Sequence, residues 1–109
     1  MHLKIEKYLQ EIIMIISASF QLGDVVVTNG IIAKYSIGDE PNKFLNELLQ
    51  RHASCDWGDV CEEDKQMNNE SLKSGNRLLS LYEVGEEYPI YIITEADRSV
   101  TTILFADEY

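Results

Sequence analysis

The apolar positions change their period along the chain, and each change marks a new element. Ile5, Leu9, Ile12 and Ile16 recur at helical spacing and predict an amphipathic helix lying on the core or on a second subunit. FQLGDVVVT (20–28) has the β-branched run of a strand, and Asn29-Gly30 behind it predicts a turn. IIAKYS then predicts a short helix. DEPNKFLNELLQRH (39–52) predicts a longer one: Asp39 can cap it, Pro41 fits the first turn, and Phe44/Leu48 and Leu45/Leu49 pair four residues apart. Arg51 and His52 fall at its C-terminal end, where positive charge suits the helix dipole.

A third helix is expected over about 60–73. Asp59 with Glu62 three residues later has the spacing of a capping box, and Gly75 fits the left-handed residue that ends a helix. Its apolar positions are chiefly Val60, Met67 and Leu72, so it can bury only a narrow stripe and leaves most of its side chains in water. From Arg77 the pattern turns to short β-rich runs, RLLSLYEV, YPIYIIT and VTTILF, joined by loops of hairpin length. Pro89 cannot donate to a strand ladder and belongs at a strand start or an edge. The expected fold is α+β: a three- to four-stranded, mainly antiparallel sheet with a C-terminal β-meander, covered on one face by two to four helices.

At 109 residues the chain fits one domain, 1–109, with one modest core; residues 1–13 are expected to be a helical N-terminal extension, and Met14 is an alternative start. No repeat, linker or low-complexity segment divides it. The net charge of −10 sets the class of partner, because free nucleic acid and anionic membranes repel such a surface. The charge is lopsided: residues 1–54 hold 5 basic and 6 acidic side chains, residues 55–109 hold 4 and 13. The apolar stretch IIMII, interrupted nearby by Glu6 and Glu11, is far short of the roughly 20 residues of a membrane span and does not read as an export signal. Two cysteines are too few for a disulfide scaffold, so reduced thiols and a cytoplasmic location are expected.

The densest chemistry lies in RHASCDWGDVCEED (51–64). His52, Cys55 and Cys61 lack the paired spacing of a structural zinc site, so no metal is expected. Asp56, Asp59, Glu62, Glu63 and Asp64 surround the thiols with negative charge, which raises a thiol pKa and argues against a nucleophilic cysteine. Acid/base pairs such as Asp56 with Asp59, or Glu95 with Asp97, would need burial to separate their pKa values, and capping explains such acids more simply. No glycine-rich phosphate loop or other cofactor motif is present. Trp57 is either a core plug folded back over the Gly58 turn or an interface anchor. In TEADRS, Asp97 and Arg98 are expected to pair with each other or with the 56–64 acids.

The segments LGDVVVTNG, RHASCDWGD, RLLSLY and IITEADRSVTTILFADEY together resemble a family of small proteins encoded on plasmids and other bacterial mobile elements, whose pattern runs R-H-x-S-G-D-W-G-D and then I-T-E-A-D-R-S-x-T-T-x-L to a final E-Y. The likeness covers nearly everything after about Phe20, and Cys55 departs from it by standing where the pattern has glycine. The resemblance implies no activity of its own, but mobile elements commonly carry small acidic proteins that disarm host defences. The expected function is therefore a non-enzymatic anti-defence protein, anti-CRISPR or anti-restriction, that uses a nucleic-acid-mimicking surface to bind a nuclease effector. Asp56, Trp57, Asp59, Glu62, Glu63, Asp64, Glu95, Asp97 and Arg98 are the candidate partner-binding residues. Two alternatives stand beside it: a small enzyme in which His52, Asp56, Asp59, Glu95, Asp97 and Arg98 converge on a polar pocket, and a plasmid-maintenance module that homodimerises through the N-terminal helix.

Overall fold

The structure is a computed structural model that describes residues 3–5, 19–35 and 42–109. Its elements run β1 (Leu3–Ile5), β2 (Asp24–Thr28), α1 (Asn29–Tyr35), α2 (Lys43–Ala53), α3 (Glu62–Ser74), β3 (Leu78–Tyr82), β4 (Ile90–Thr94) and β5 (Val100–Phe105), closed by a 3₁₀ turn at Ala106–Glu108. The strands form one sheet in the order β1-β2-β5-β4-β3.

The α+β class and the C-terminal meander are as expected: β3, β4 and β5 pair antiparallel in chain order, with Leu78 opposite Thr94 and Thr94 opposite Thr101. The first long strand, β2, joins the meander on the far side of β5 and runs parallel to it. A parallel pair needs a crossover, and all three described helices lie in the connection between β2 and β3. Val25, Val26 and Val27 are all buried, which suits a strand inside the sheet with both faces covered. Leu3–Ile5 adds a short strand antiparallel to β2, which corrects the expected helix at those three positions; residues 6–13 of the expected extension lie outside the described residues.

One face of the sheet carries Val25, Val27, Ile90, Ile92, Ile103 and Tyr82, and onto it pack Ile31 of α1 and Leu45, Leu48, Leu49 and Ala53 of α2. Alternation along each strand explains the choice, since residues two apart share a face. On the other face Val26, Ile93 and Leu104 are buried as well.

Three boundaries differ from the sequence expectation, and each has a local cause. Asn29-Gly30 opens α1 instead of making a turn: the Glu108 carboxylate accepts from the Thr28 hydroxyl (2.7 Å) and the Gly30 N–H (3.1 Å), fixing the helix start. Asn42 caps α2, its Oδ1 accepting from the Leu45 N–H at 2.9 Å; Asp39 and Pro41 lie outside the described residues. Cys61 holds the capping position of α3 without a side-chain bond, because the Asp59 carboxylate is turned away to accept the Glu83 N–H (2.9 Å). Gly75 ends α3 in the left-handed conformation, as its position in the sequence predicts.

Candidate functional site

The 51–64 segment divides into an inner half, fixed to the core, and an outer half, open to water. His52 is fully buried on α2. Its Nδ1 lies 2.6 Å from the Ser80 hydroxyl and its Nε2 2.9 Å from the Thr94 hydroxyl, which lies 2.7 Å from the Thr101 hydroxyl. Thr101 donates to the Leu22 carbonyl (2.7 Å), and that one fixed end sets every proton upstream. Thr94 must donate to Thr101 and accept from His52 Nε2–H, so Nδ1 is the acceptor and Ser80 its donor. The ring is neutral: burial, with the Arg98 charge adding to it, pushes its pKa down to about 3.

Trp57 is 4% exposed and plugs the space beside this network. Its ring meets Phe20 in a stack (6.2 Å) and His52 edge-on (5.7 Å), while its indole N–H donates to Asn69 of α3 at 3.0 Å. The turn that returns it is strained and fully specified. Gly58 has φ +77, and a Cβ there would collide with the Leu81 carbonyl and the Tyr82 ring. Cys55 has φ +66, a conformation that favours glycine.

The same turn closes the outer edge of β3. Leu81 donates to the Trp57 carbonyl (3.1 Å) and accepts from the Asp59 N–H (2.6 Å), a one-residue parallel bridge. Asp59 Oδ2 covers the next outward N–H, that of Glu83. Asp56 is held by Arg51, whose Nε reaches Oδ2 at 2.7 Å and whose guanidinium lies over the Tyr82 ring; that hydrogen bond keeps the Asp56 carboxyl below the usual carboxylate range. Two of the candidate acids are thus engaged within the fold.

TEADRS sits at the other end of α3. Asp97 accepts from the Ser99 N–H (3.0 Å) and hydroxyl (2.6 Å), and the hydroxyl bond chiefly lowers its pKa. Arg98, at φ +61, donates to the carbonyls of Asn76 (2.7 Å), Glu95 (3.0 Å) and Ser71 (3.0 Å). The expected ion pairing of Asp97 and Arg98, with each other or with the 56–64 acids, is replaced by these local bonds. The Ser71 carbonyl, which also accepts the Gly75 N–H (3.0 Å), has a second lone pair for the guanidinium, and Arg98 thereby ties the last turns of α3 to the β4–β5 loop. Glu95 is half-buried beside it.

The six polar residues of the enzyme alternative therefore do not converge. His52 lies in the core, Asp56 and Asp59 lie on the turn before α3, and Asp97 and Arg98 lie beyond its other end; the one hydrogen-bonding link among the six is Arg98 to Glu95 main chain. Among the described residues no group of three or more His, Cys, Asp or Glu is placed to hold a metal ion. No described helix is long and apolar enough to cross a membrane.

What remains open is α3 itself. Glu62, Glu63 and Asp64 fill its first turn and are exposed. At about 100° per residue, Glu62, Glu63 and Glu70 share the outer side, and Asp64 lies toward the sheet. A cleft of about 570 Å³ runs there, lined by Asp64, Met67, Ser71, Arg77, Leu79 and Ala96 among others. Sequence reasoning missed Asn68, which bonds the β3 edge, and the hydroxyl row under His52. Ser80, Thr94 and Thr101 stand at positions whose parity matches the apolar Leu78, Ile92 and Ile103, and that was the available signal. Comparison with protein-family models, with curated proteins and with solved structures finds no match.

Proposed function

We propose that this protein acts by binding and not by catalysis, with the acidic start of α3 as the centre of its contact surface. The observation that carries this reading is that Glu62, Glu63 and Asp64 are exposed in the first turn of α3 and form no ion pair with any described residue, whereas Asp56, Asp59 and Asp97, exposed as well, are engaged by nearby donors. A cluster of uncompensated carboxylates on one helical turn imitates the phosphates of nucleic acid, which carry about one negative charge per 1.7 Å of duplex. The partner it suits is a nucleic-acid-binding protein with a basic groove. A nuclease effector of host defence is the specific choice, supported by the resemblance of the motifs to proteins of mobile elements. Asp56, Trp57, Asp59 and Arg98 serve this surface by fixing the two ends of α3.

The test is capture of protein partners from bacterial lysate by the tagged chain and by a variant carrying Glu62→Gln, Glu63→Gln and Asp64→Asn. Neutral isosteres keep the size of the side chains and forfeit only the dipole contribution, roughly 0.3–1 kcal/mol each. The wild type is expected to capture a nucleic-acid-binding protein that is released as salt rises, and the variant, folded by circular dichroism, to capture at least about tenfold less. Undiminished capture by the variant contradicts the reading.

A further inference from the structure

We infer that α3 is a strap that opens from the sheet edge as a unit, with Asn68 as its latch. The inference rests on how the helix is attached and does not depend on whether its acids have a partner. Neither apolar core cluster contains a residue of α3. Its buried residues are Asn68 and Ser71, while Met67 is 62% and Leu72 37% exposed, so the helix adds much less apolar burial to the fold than α2, whose Leu45, Leu48, Leu49 and Ala53 are all buried. An open cleft of about 570 Å³ runs along this helix and is lined in part by Asn68, Ser71 and Leu79.

Hydrogen bonds hold it instead, at three places. In the middle, Asn68 Nδ2 donates to the Leu79 carbonyl (2.8 Å) and its Oδ1 accepts from the Leu79 N–H (3.1 Å), so that one side-chain amide takes the place a neighbouring strand would occupy. One residue on, about 100° round the helix, the Trp57 indole donates to Asn69. Toward the C-terminus, Arg98 donates to the Ser71 carbonyl. Water can replace every one of these partners when the helix lifts, which is why a bond of this kind contributes little net stability. The core under α1 and α2 has no such substitute, because apolar surface has no partner in water.

Opening has a defined structural consequence. β3 is an edge strand, and its outward groups are covered in series: Leu79 by Asn68, Leu81 by the 57–59 turn, Glu83 by Asp59. Lifting α3 uncovers Leu79 alone and leaves the rest of the edge and the core in place. Segments held by few apolar contacts are the ones that open locally, below the free energy of global unfolding.

Amide hydrogen exchange of the full chain, read residue by residue by NMR, tests this. In the wild type the amides of Met67 to Ser74 and of Leu79 are expected to exchange at least about tenfold faster than those of Ile92 and Ile103, and to do so nearly independently of added urea, since little surface is exposed in the opening. Asn68→Ala is expected to accelerate the α3 and Leu79 amides by on the order of tenfold and leave Ile92 and Ile103 unchanged. Asn68→Asp, which keeps the acceptor for Leu79 N–H and loses the donor, should fall between. If α3 exchanges with the rate and urea dependence of β4 and β5 in the wild type, or if Asn68→Ala accelerates all of them alike, α3 is part of the global unit and the inference is overturned. The wild-type measurement decides the matter by itself should a variant fail to fold.

Discussion

His52 is neutral in the folded chain because both ring nitrogens are committed, one as acceptor from Ser80 and the other as donor to Thr94, within a row that ends on the Leu22 carbonyl. A second ring proton would have to enter a site that water does not reach, beside the charge of Arg98. The folded pKa of about 3 lies below the ordinary value of 6.5, so below pH 6.5 the unfolded chain binds more protons than the folded one. Stability is therefore fully present above pH 6.5 and falls with acid toward pH 3, by up to about 1.4 kcal/mol per pH unit. Asp56, whose pKa Arg51 lowers, adds a loss only at the acid end of that window. Urea denaturation at a series of pH values should show the decline setting in near pH 6, ahead of the carboxylates. A flat profile between pH 6.5 and 4.5 would mean that His52 is not neutral and buried as described.

At the scale of elements, the two sequence signatures turn out to flank one helix. DWGD sits before α3 and TEADRS beyond its end, and apart from Asp56 with Arg51, the Trp57 indole with Asn69 and Asp97 with the Ser99 hydroxyl, both spend their polar groups on main-chain atoms of α3, β3 and their own turns. Glycine tests this directly. Gly58 and Gly75 share the left-handed conformation, at φ +77 and +80, but a Cβ at Gly58 meets Leu81 and Tyr82 while one at Gly75 meets nothing within 4 Å. Gly75→Ala should cost about 1 kcal/mol, the strain of the conformation alone, whereas Gly58→Ala should cost well over about 2 kcal/mol by also breaking the bridge to β3. Equal losses in chemical denaturation would show that the Gly58 turn does not seal the edge.

The elements of the second half were legible in the sequence because strand alternation, loop length and Gly75 are local signals. The parallel placement of β2 against β5 was not, since no local pattern records which strand a distant strand chooses. The errors at Asn29-Gly30 and Asp59 have one cause: both involve a carboxylate, Glu108 or Asp59, bonding a main-chain N–H at least 24 residues away along the chain. Of the candidate site, the acids of 62–64 were readable as a solvated first turn. The local bonding of Asp56, Trp57, Asp59 and Arg98 became visible only once α2, α3 and β3 lay beside them.

For the whole molecule, the decisive property is an excess of ten negative charges gathered mainly in the second half of a small domain. Lys34 with Glu86 and Arg51 with Asp56 are the ion pairs among the described residues, and they offset little of that excess. Such a surface attracts basic partners over about a Debye length, roughly 8 Å at physiological salt, and repels nucleic acid itself. The central claim, that the α3 face stands in for nucleic acid, is tested most directly by competition. The captured partner, bound to the immobilised protein at low salt, is challenged with increasing double-stranded DNA or RNA. Displacement by the nucleic acid that the partner binds, with the protein remaining immobilised and folded, is the predicted result. A partner that stays bound at saturating nucleic acid, carrying both at once, would contradict the account, because the acidic face would then be docking somewhere other than the groove it is held to imitate.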